Sequence, residues 1–482
     1  MKNFSLTEFE YALKHYLSTL CLNDLRVLGR NFGVAEPTKK KKTILTDELV
    51  SILVGQSTPI VRNNRGAPVK NDYIDPKILD KIEEIRFRYT SSANAAQENV
   101  AAPSMTFPIQ APKAPIIVFS DGSEERDCIG QLEIIDRVPC LLPLNGVLTD
   151  GKIHIGVEFI RYYNLQQGDV VHCSVQKQGN IYSVVKIFTI NGEDCTLIVR
   201  NSFDTENACY PNRKISFLNG GQTSVEAKYF EWLLPIGCGQ RGLIIAPPKA
   251  GKTRFLLQTA KALASANVEL MVLLLEQPPE LINVFKTDLP KDSLVATDYN
   301  DDASSHVFAA EFILKRAKRY AEMGKDVVLL IDSLSTLAKA YNETDESTGG
   351  KMLPCGLESK TVGYLKKYFA TAMCSAKGGS ITMLCTIACE TGNPADDYLT
   401  AELAPFANAQ IHLNGLLAAS RIFPAIDLAN SNVQTYDLLF KEKELEQEFF
   451  IRREYYPKNG TKKLNAVLLE SQSFEEFCQK TK

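Results

Sequence analysis

One segment of this chain carries residues that can bind phosphate groups. Residues 242–246 form a short apolar run, and residues 247–253 continue it as PPKAGKT. In such a loop glycine lets backbone N–H groups turn toward a phosphate, lysine reaches the outer phosphates, and the threonine hydroxyl ligates magnesium at the start of a helix. Ala246 stands where the motif G-x-x-x-x-G-K-[ST] has its first glycine. The segment predicts a nucleoside triphosphate site; the alternative is an ordinary lysine-bearing loop between a strand and a helix.

The elements needed to position this loop are also indicated. Apolar residues recur near helical spacing over residues 255–264, directly after Thr253. The ATP-binding residues predicted along the loop and the start of this helix are Lys249, Ala250, Gly251, Lys252, Thr253 and Arg254.

Two acidic residues follow apolar runs that are predicted to be strands. Asp332 comes after residues 326–331, and Glu276 after residues 271–275. In a parallel sheet both acids reach the edge where ligands gather, so Asp332 can support a magnesium ion and Glu276 can position the attacking water. An acid at the end of a strand is also a common helix start, and for either residue alone that alternative remains open. Together, beside a phosphate loop, the two predict hydrolysis of a nucleoside triphosphate.

Composition limits the class of protein. The chain has 482 residues, 45% of them hydrophobic, and a net charge of -3, so it has no global basic field of the kind that marks many nucleic-acid binders. Its 12 cysteines form no C-x-x-C pair and it has only 5 histidines, which argues against a zinc site and a disulfide framework. Glu8 and Glu10 interrupt the start of the chain where a signal peptide needs an apolar run, and no apolar stretch reaches the ~18 residues of a membrane span. We predict a cytoplasmic protein with no membrane association.

The chain is predicted to be a multidomain α/β protein with four parts. Residues 1–55 form a small helical unit, and residues 56–115 form a flexible linker that is interrupted by a short helix over residues 78–87. Residues 116–195 form an OB-like barrel of about five strands. Residues 196–482 form a P-loop ATPase domain in which strands alternate with helices around a parallel sheet.

The predicted barrel is a candidate nucleic-acid site. Its strands are expected at residues 132–134, 152–157, 170–175 and 181–185, and OB-like barrels bind single strands by stacking bases on exposed aromatic rings. Tyr162, Tyr163 and Tyr182 are the candidates, although each could equally be a core residue. The lysine run at residues 39–42 is either a second nucleic-acid contact or a solvated loop.

Several of these motifs resemble one family. Residues 239–253, GQRGLIIAPPKAGKT, look like the P-loop of the bacterial transcription termination factor Rho family, including Ala246 and the additional Lys249. Residues 332–342 resemble the second acidic motif of that family, and residues 421–427, RIFPAID, resemble a late segment of it. Residues 164–169 and 210–212 are similar as well, so the resemblance covers nearly the whole chain.

The resemblance implies a homohexameric ring with an OB-type RNA site and a RecA-like motor that uses ATP and Mg²⁺. It implies single-stranded RNA and the RNA polymerase transcription complex as partners. By position in the motifs, it implies a catalytic acid at Glu276, a metal-supporting catalytic acid at Asp332 and an arginine near the nucleotide at Arg421. It also implies an adenine-stacking ring at Phe423 and RNA contacts at Lys351 and Tyr182.

The chain departs from the family pattern at several basic positions. The family's arginine finger, offered to a neighbouring subunit, falls on Gln434, with Lys441 or Lys443 as nearby partial substitutes. Other basic positions of the family are occupied by Gln277, Thr336, Pro394 and Gly415. Where the family has Gly-Phe-Gly-Phe in its barrel, residues 138–141 are VPCL, which offers no ring for stacking.

Two functions therefore remain open. The first is an ATP-dependent RNA translocase that terminates transcription. The second is a regulatory ring that binds ATP and RNA but translocates weakly or not at all. A rotary ATP synthase subunit, which would share the ATPase core, is disfavoured because such subunits carry a different P-loop.

Overall fold

The structure is a computed structural model that describes residues 13–18, 20–31, 34, 37–53, 125–146, 152–178, 181–194, 202–218, 224–344, 351–376, 378–455 and 460–481. The chain divides into two compact units, Met1–Ala111 and Pro112–Lys482. The segment predicted as a linker, residues 56–115, and its short helix lie outside the described residues. Within the described residues, no helix combines the length and the apolar character needed to cross a lipid bilayer.

Two of the helices described in the first unit pack against each other through leucines. Helices α1 (Leu22–Asn31) and α2 (Lys42–Leu53) are joined by a turn that includes part of the lysine run. Leu25 and Leu28 of α1 meet Leu45 and Leu49 of α2, all at most 1% exposed. The spacing of three and four residues places each pair on one helix face, so the predicted leucine stripes do form this small core. Lys40 of the lysine run pairs with Glu48.

The second unit begins with a barrel. Its strands are β1 (Arg126–Ile135), β2 (Val138–Leu142), β3 (Ile153–His154), β4 (Val170–Gln178), β5 (Ile181–Ile190) and β6 (Glu193–Asp194). They are ordered β3-β2-β1-β4-β5-β6, and an additional parallel pairing of β3 with β5 closes the sheet on itself. Leu132, Leu141, Val171 and Val184 fill the interior, each at most 2% exposed.

The segment between β3 and β4 differs from the sequence-based expectation. Only Ile153–His154 of the strand predicted over residues 152–157 is extended, and helix α3 (Val157–Tyr163) begins at Val157. Phe159 and Tyr163, four residues apart, are both buried in the barrel core, and this helical spacing outweighs the alternation of the preceding residues. Tyr163 is therefore a core residue, which removes it from the candidate RNA-stacking rings.

The rest of the second unit is built on a nine-stranded sheet. Its strands are β7 (Ala208–Cys209), β8 (Arg241–Ala246), β9 (Glu269–Leu274), β10 (Leu294–Ala296), β11 (Asp326–Asp332), β12 (Met373–Ser375), β13 (Ser380–Ala388), β14 (Ala409–Leu413) and β15 (Ile426–Val433). The main order is β10-β9-β11-β13-β8-β14-β15, parallel from β10 to β14 and antiparallel at β15. The short strand β12 pairs with β13, and β7 pairs with β12, both antiparallel.

Helices cover both faces of this sheet. They are α4 (Val225–Trp232), α5 (Lys252–Leu263), α6 (Pro279–Asp288), α7 (Ala303–Glu322), α8 (Leu334–Thr344), α9 (Ser359–Ala370), α10 (Pro394–Leu403), α11 (Gly415–Ala419), α12 (Glu442–Tyr455), α13 (Thr461–Glu470) and α14 (Phe474–Thr481). The central strands are apolar throughout because both of their faces are buried; Val328 and Leu330 of β11 contribute to one core and Val327 and Leu329 to the other. The predicted alternation of strands and helices around a parallel sheet is confirmed.

The barrel is docked on helix α7. The side chain of Gln131 donates a hydrogen bond to the carbonyl of Phe312 at 2.7 Å, and Glu133, which is buried, pairs with Lys315 at 2.7 Å. Gly168 approaches so closely that an added Cβ would lie 2.5 Å from the backbone carbon of Lys315, and its φ is 95°. A larger residue at position 168 would separate the two surfaces, which explains why a glycine occurs in this segment.

Candidate nucleotide-binding site

The predicted phosphate loop connects β8 to α5. Gly251 caps the start of α5 with a left-handed backbone, φ 86°, and an added Cβ would lie 2.9 Å from the ring of Phe423. Both the conformation and the contact require glycine. The N-terminus of α5 carries unpaired N–H groups beside Lys252 and Thr253, which is the arrangement that binds phosphate. Ala246, which replaces the first glycine of the motif, is buried as the last residue of β8.

Asp332 lies at the centre of a hydrogen-bonded group beside the loop. Its side chain is fully buried and accepts hydrogen bonds from the Thr253 hydroxyl at 2.7 Å and from the Thr386 hydroxyl at 2.7 Å. The ammonium of Lys252 lies 3.7 Å from the same carboxylate. A buried carboxylate needs such partners, so the group is fixed in position before any ligand binds. The structure thus brings together Lys252, Thr253 and Asp332.

These residues fit a magnesium ion. Mg²⁺ is bound through one or two protein oxygens, with water and substrate phosphates completing its shell, and the Thr253 hydroxyl and the Asp332 carboxylate are oxygens of this kind. Among the described residues, no cluster of three or more His, Cys, Asp or Glu side chains could hold a metal ion by itself. The donor set therefore suits a metal that arrives with a nucleotide better than a metal held by the protein alone.

Glu276 is at the same edge of the sheet. Leu274, at the end of β9, pairs with Asp332 at the end of β11, and Glu276 lies two residues further on. It is exposed, with a left-handed backbone, φ 55°, and its N–H donates to the Thr297 hydroxyl at 3.3 Å. Lys249 and Arg421 also have positive φ, 63° and 59°. Such backbone conformations cost energy and cluster at functional sites.

A narrow cleft of about 10 Å³ lies beside the loop and is bordered by Phe423, the ring to which the family resemblance gives a base-stacking role. Phe423 lies over Gly251 on one side, and the guanidinium of Arg254 is 5.2 Å from the centre of its ring. Ala250, Leu413, Pro424 and Ala425 add apolar walls, and Glu226 of α4 contributes a carboxylate. Arg421 is exposed, two residues before Phe423.

Replacing Phe423 with alanine is expected to weaken ATP binding about tenfold or more while leaving the turnover rate at saturation within a few-fold. Stacking of a base on an aromatic ring contributes about 1–3 kcal/mol, and the ring is not placed near the bond that breaks. Titration of a fluorescent ATP analogue, combined with saturation kinetics, measures both quantities. Phe406→Ala, at an exposed ring on the same domain, is the matched control and should leave both unchanged. A loss confined to the turnover rate would contradict the base-stacking role.

The structure also locates the residues that depart from the family pattern. The side-chain amide of Gln277 donates back to the carbonyl of Leu275 at 3.0 Å, and the Thr336 hydroxyl lies 3.0 Å from that of Ser333. Pro394 is the first residue of α10. An added Cβ on Gly415 would lie 3.5 Å from Pro247, so this position faces the phosphate loop.

Gln434 is far from the phosphate loop of its own chain. Its N–H donates to the carbonyl of Asn408 at 2.8 Å. The N–H of Asn408 in turn donates to the carbonyl of Arg241, the first residue of β8. The loop follows the other end of this strand, and 6 residues of strand span about 20 Å. Gln434 is also exposed, so it could act only on another molecule.

The predicted RNA residues are not among those that line this cleft. Tyr182 is in β5 of the barrel, with the ammonium of Lys177 5.8 Å from the centre of its ring. Lys351 is exposed, shortly before α9, and its carbonyl accepts a hydrogen bond from the N–H of Ser359 at 3.1 Å.

Sequence reasoning missed Thr386, Thr297 and Glu226. A threonine near a strand end carries no local signal, and Thr386 becomes a partner of Asp332 only because β13 lies beside β11. Glu226 lies outside the phosphate loop in sequence, 25 positions before Gly251, and only the packing of α4 brings it to the cleft.

Comparison with known proteins defines the class of this domain. Residues 227–432 match the nucleotide-binding domain of the ATP synthase alpha/beta family. This match covers β8 to β14 and every residue that lines the cleft except Glu226, so the second unit contains a nucleotide-binding domain of this P-loop class. The assembled ATPase EscN of an enteropathogenic E. coli type III secretion system superposes with a TM-score of 0.49 and 18% identity, covering 66% of this chain and 92% of that chain; at this score nothing further rests on it.

Two curated relatives are more informative. The transcription termination factor Rho of Haemophilus influenzae is 32% identical over 339 residues, which is 68% of this chain and 80% of that protein. The Rho protein of Borreliella burgdorferi is 34% identical over 316 residues, 64% of this chain and 61% of that protein, so the aligned part spans less than two thirds of that relative. This chain belongs to the transcription termination factor Rho family, as a divergent member.

Proposed function

We propose that this protein is an RNA-dependent ATPase that uses ATP and Mg²⁺ to move along single-stranded RNA in transcription termination. The observation that carries the proposal is the group formed by Lys252, Thr253 and Asp332, with Glu276 at the same sheet edge. A protein that only bound nucleotide would not need a second acid beside the magnesium-supporting one. Family membership adds termination as the process and RNA as the substrate class.

The chain's own residues have distinct roles in this mechanism. Lys252 would hold the outer phosphates, Thr253 and Asp332 would hold the metal, and Phe423 would stack on the base. Glu276 orients the attacking water and accepts its proton. The bound Mg²⁺ would neutralise charge on the phosphate oxygens. Asp332 accepts a hydrogen bond from Thr386 as well as from Thr253, so its carboxylate would stay in place if the Thr253 hydroxyl bound a metal instead.

The barrel supports the RNA part of the proposal. Its strand order, the parallel closure of β3 on β5 and a helix between β3 and β4 correspond to an OB-fold. Tyr182, with Lys177 beside it, combines a stacking ring with a cation for the RNA backbone. On β2 the two stacking rings of the family pattern fall on Pro139 and Leu141, which have no aromatic face, so we propose a primary RNA site weaker than is usual for the family.

The experiment that tests the proposal is ATP turnover by the full chain with and without poly-cytidine RNA. RNA is expected to stimulate turnover, and Glu276→Ala is expected to remove the stimulated activity while retaining ATP binding. Glu280→Ala, at an exposed glutamate at the start of α6, is the control and should remain active. ATP binding without turnover under any RNA would overturn the proposal.

Replacing Tyr182 with alanine is expected to weaken RNA binding about tenfold with no change in ATP turnover in the absence of RNA. The reason is the loss of one base-stacking contact of about 1–3 kcal/mol. Fluorescence anisotropy with labelled poly-cytidine at fixed salt measures it. Phe406→Ala, which removes an exposed ring outside the barrel, is the control and should bind RNA as the parent does. Equal RNA affinity in Tyr182→Ala and the parent would place the RNA site elsewhere.

The second candidate is a regulatory ring with weak or no translocation. It is favoured by Gln434 and Pro394, where the family has a finger arginine and a translocation-linked lysine. The two candidates differ in one observable. A motor displaces a paired strand from an RNA duplex when ATP is present, whereas a regulatory ring binds ATP and RNA without displacing it.

The assembly belongs to the same proposal. We propose a homohexameric ring, because Gln434 and Lys441 are exposed and Gln434 lies at the sheet edge opposite the phosphate loop, where they would face the nucleotide site of a neighbouring subunit. RNA and the RNA polymerase transcription complex are the proposed partners. Sedimentation or light scattering with ATP and RNA tests the ring.

A further inference from the structure

A larger cavity lies at the edge of the sheet opposite the phosphate loop. It has a volume of about 220 Å³ and is bordered by the start of β9, the segment before β10 and helix α7. Glu269, the first residue of β9, lines this cavity, whereas Glu276 follows the other end of the same strand. Because a strand of 6 residues spans about 20 Å, the cavity is separate from the nucleotide-binding site.

A buried arginine of α7 lines this cavity. Arg316 is 2% exposed, and its Nη1 donates a hydrogen bond to the carbonyl of Leu144 at 3.1 Å. Leu144 lines the same cavity, so the guanidinium is held at its wall. The Nε and Nη2 atoms of Arg316 are buried as well, and they have no hydrogen-bond partner within the part of the chain that the structure describes.

Leaving these two donors unpaired has a cost in free energy. Arginine keeps its charge in proteins, and a buried charged donor without an acceptor loses its hydration without compensation. Burial accordingly lowers the pKa of Arg316, although Tyr320, Asp292 and Glu269 act in the opposite direction. A ligand that accepts hydrogen bonds from both donors would remove this cost on binding.

The positions of the two unpaired atoms indicate the chemistry of such a ligand. Nε–H and one Nη2–H lie along the same side of the planar guanidinium and point in parallel. This pair of donors matches the two oxygens of a carboxylate, or two oxygens of a phosphoryl group. Because Nη1 is already bound to the carbonyl of Leu144, the plane of the guanidinium is oriented before a ligand arrives.

The rest of the cavity distinguishes among such anions. Glu269 and Asp292 line it together with Lys291 and Arg316, so the charges of the lining are balanced, and a ligand with several negative charges would be repelled by the two acids. An apolar cavity of about 150 Å³ is large enough to bind benzene, so this one accommodates a ring of that size with a carboxylate attached. Six lining residues are apolar and suit the body of such a ligand: Leu144, Ala264, Val268, Leu270, Met271 and Pro290.

We propose that this cavity is a second ligand site, in which Arg316 binds the carboxylate of a small, singly charged carboxylic acid with an apolar body. The site shares no residue with the nucleotide-binding site, so the inference does not depend on the proposed function.

The first test uses the unmodified full chain. Benzoate is titrated into the protein and its binding is followed by saturation-transfer NMR, with benzyl alcohol as a neutral compound of similar shape. Benzoate is expected to bind at least about tenfold more tightly, because only a carboxylate accepts two charge-assisted hydrogen bonds from the guanidinium. Equal binding of the two compounds, or no binding of benzoate, would overturn the proposal. Phenylphosphonate should bind more weakly than benzoate, and the reverse order would overturn the assignment to a carboxylate.

Variants then locate the site at Arg316. Arg316→Met removes the charge and should weaken benzoate binding about tenfold or more, and Arg316→Lys, which keeps the charge without the planar pair of donors, should also bind more weakly than the parent. The control is Lys318→Met on the same helix, since Lys318 pairs with Asp204 at 2.8 Å and does not line the cavity. It should bind benzoate as the parent does. ATP binding by each variant checks that it is folded, and benzoate affinity unchanged in folded Arg316→Met or Arg316→Lys would contradict the role of Arg316.

Discussion

Replacing Lys252 with alanine is expected to lower ATP turnover by about 10²- to 10³-fold. The ammonium of Lys252 lies 3.7 Å from the buried Asp332 carboxylate and beside the start of α5, where the outer phosphates are expected. Removing one preorganised positive group from a site where negative charge develops typically has an effect of this size. Steady-state hydrolysis at saturating ATP and RNA measures the loss.

A lysine on the same helix provides the control. Lys261 is in the last turn of α5 and forms a partly exposed ion pair with Asp288 at 2.8 Å. Lys261→Ala changes the net charge equally, and an ion pair of this kind contributes little to stability, so its turnover should stay within about twofold of the parent. Equal activity of the two variants would mean that the phosphates do not bind at this loop.

Replacing Gln434 with arginine is expected to raise RNA-stimulated ATP turnover at least about tenfold. In related NTPases an arginine supplied to the transition state can be worth 10³–10⁵ in rate, and Gln434 is an exposed residue at the position where the family has its finger. A single substitution regains part of that effect, because the planar fork of arginine contacts phosphate oxygens that glutamine cannot neutralise.

The comparison variant for this gain is Asn432→Arg. Asn432 is also exposed and lies two residues earlier. Its replacement by arginine adds the same positive charge to the same surface. A gain limited to Gln434→Arg would locate position 434 at the neighbour's nucleotide. A gain that also requires higher protein concentration would show that the contact is made between subunits. If neither variant gains activity, the proposed subunit contact at Gln434 is contradicted. Lys441 and Lys443 would then be the residues left for the finger role.

Local sequence predicted most of the ATPase core. The apolar runs around β9, β11 and β13 appear as buried parallel strands, since a strand covered on both faces must be apolar along its whole length. Gly251, Lys252 and Thr253 could be assigned because a phosphate loop is formed by consecutive residues. The strand predicted over residues 152–157 was mostly wrong, because short apolar segments fit either period and the packing of Phe159 and Tyr163 decided in favour of a helix.

The sequence by itself determined the phosphate loop, the two strand-end acids and membership of the Rho family, because each of these is encoded by residues that are adjacent or at fixed spacing. Only the tertiary structure decided the partners of Asp332, the place of Glu226 beside the phosphate loop and the distance of Gln434 from its own loop. These depend on the order β9-β11-β13-β8 and on the packing of α4 against α5, which bring together residues that are distant in the chain. Contacts of this kind arise from the burial of both faces of the sheet, a property of the whole domain that no local pattern of residues contains.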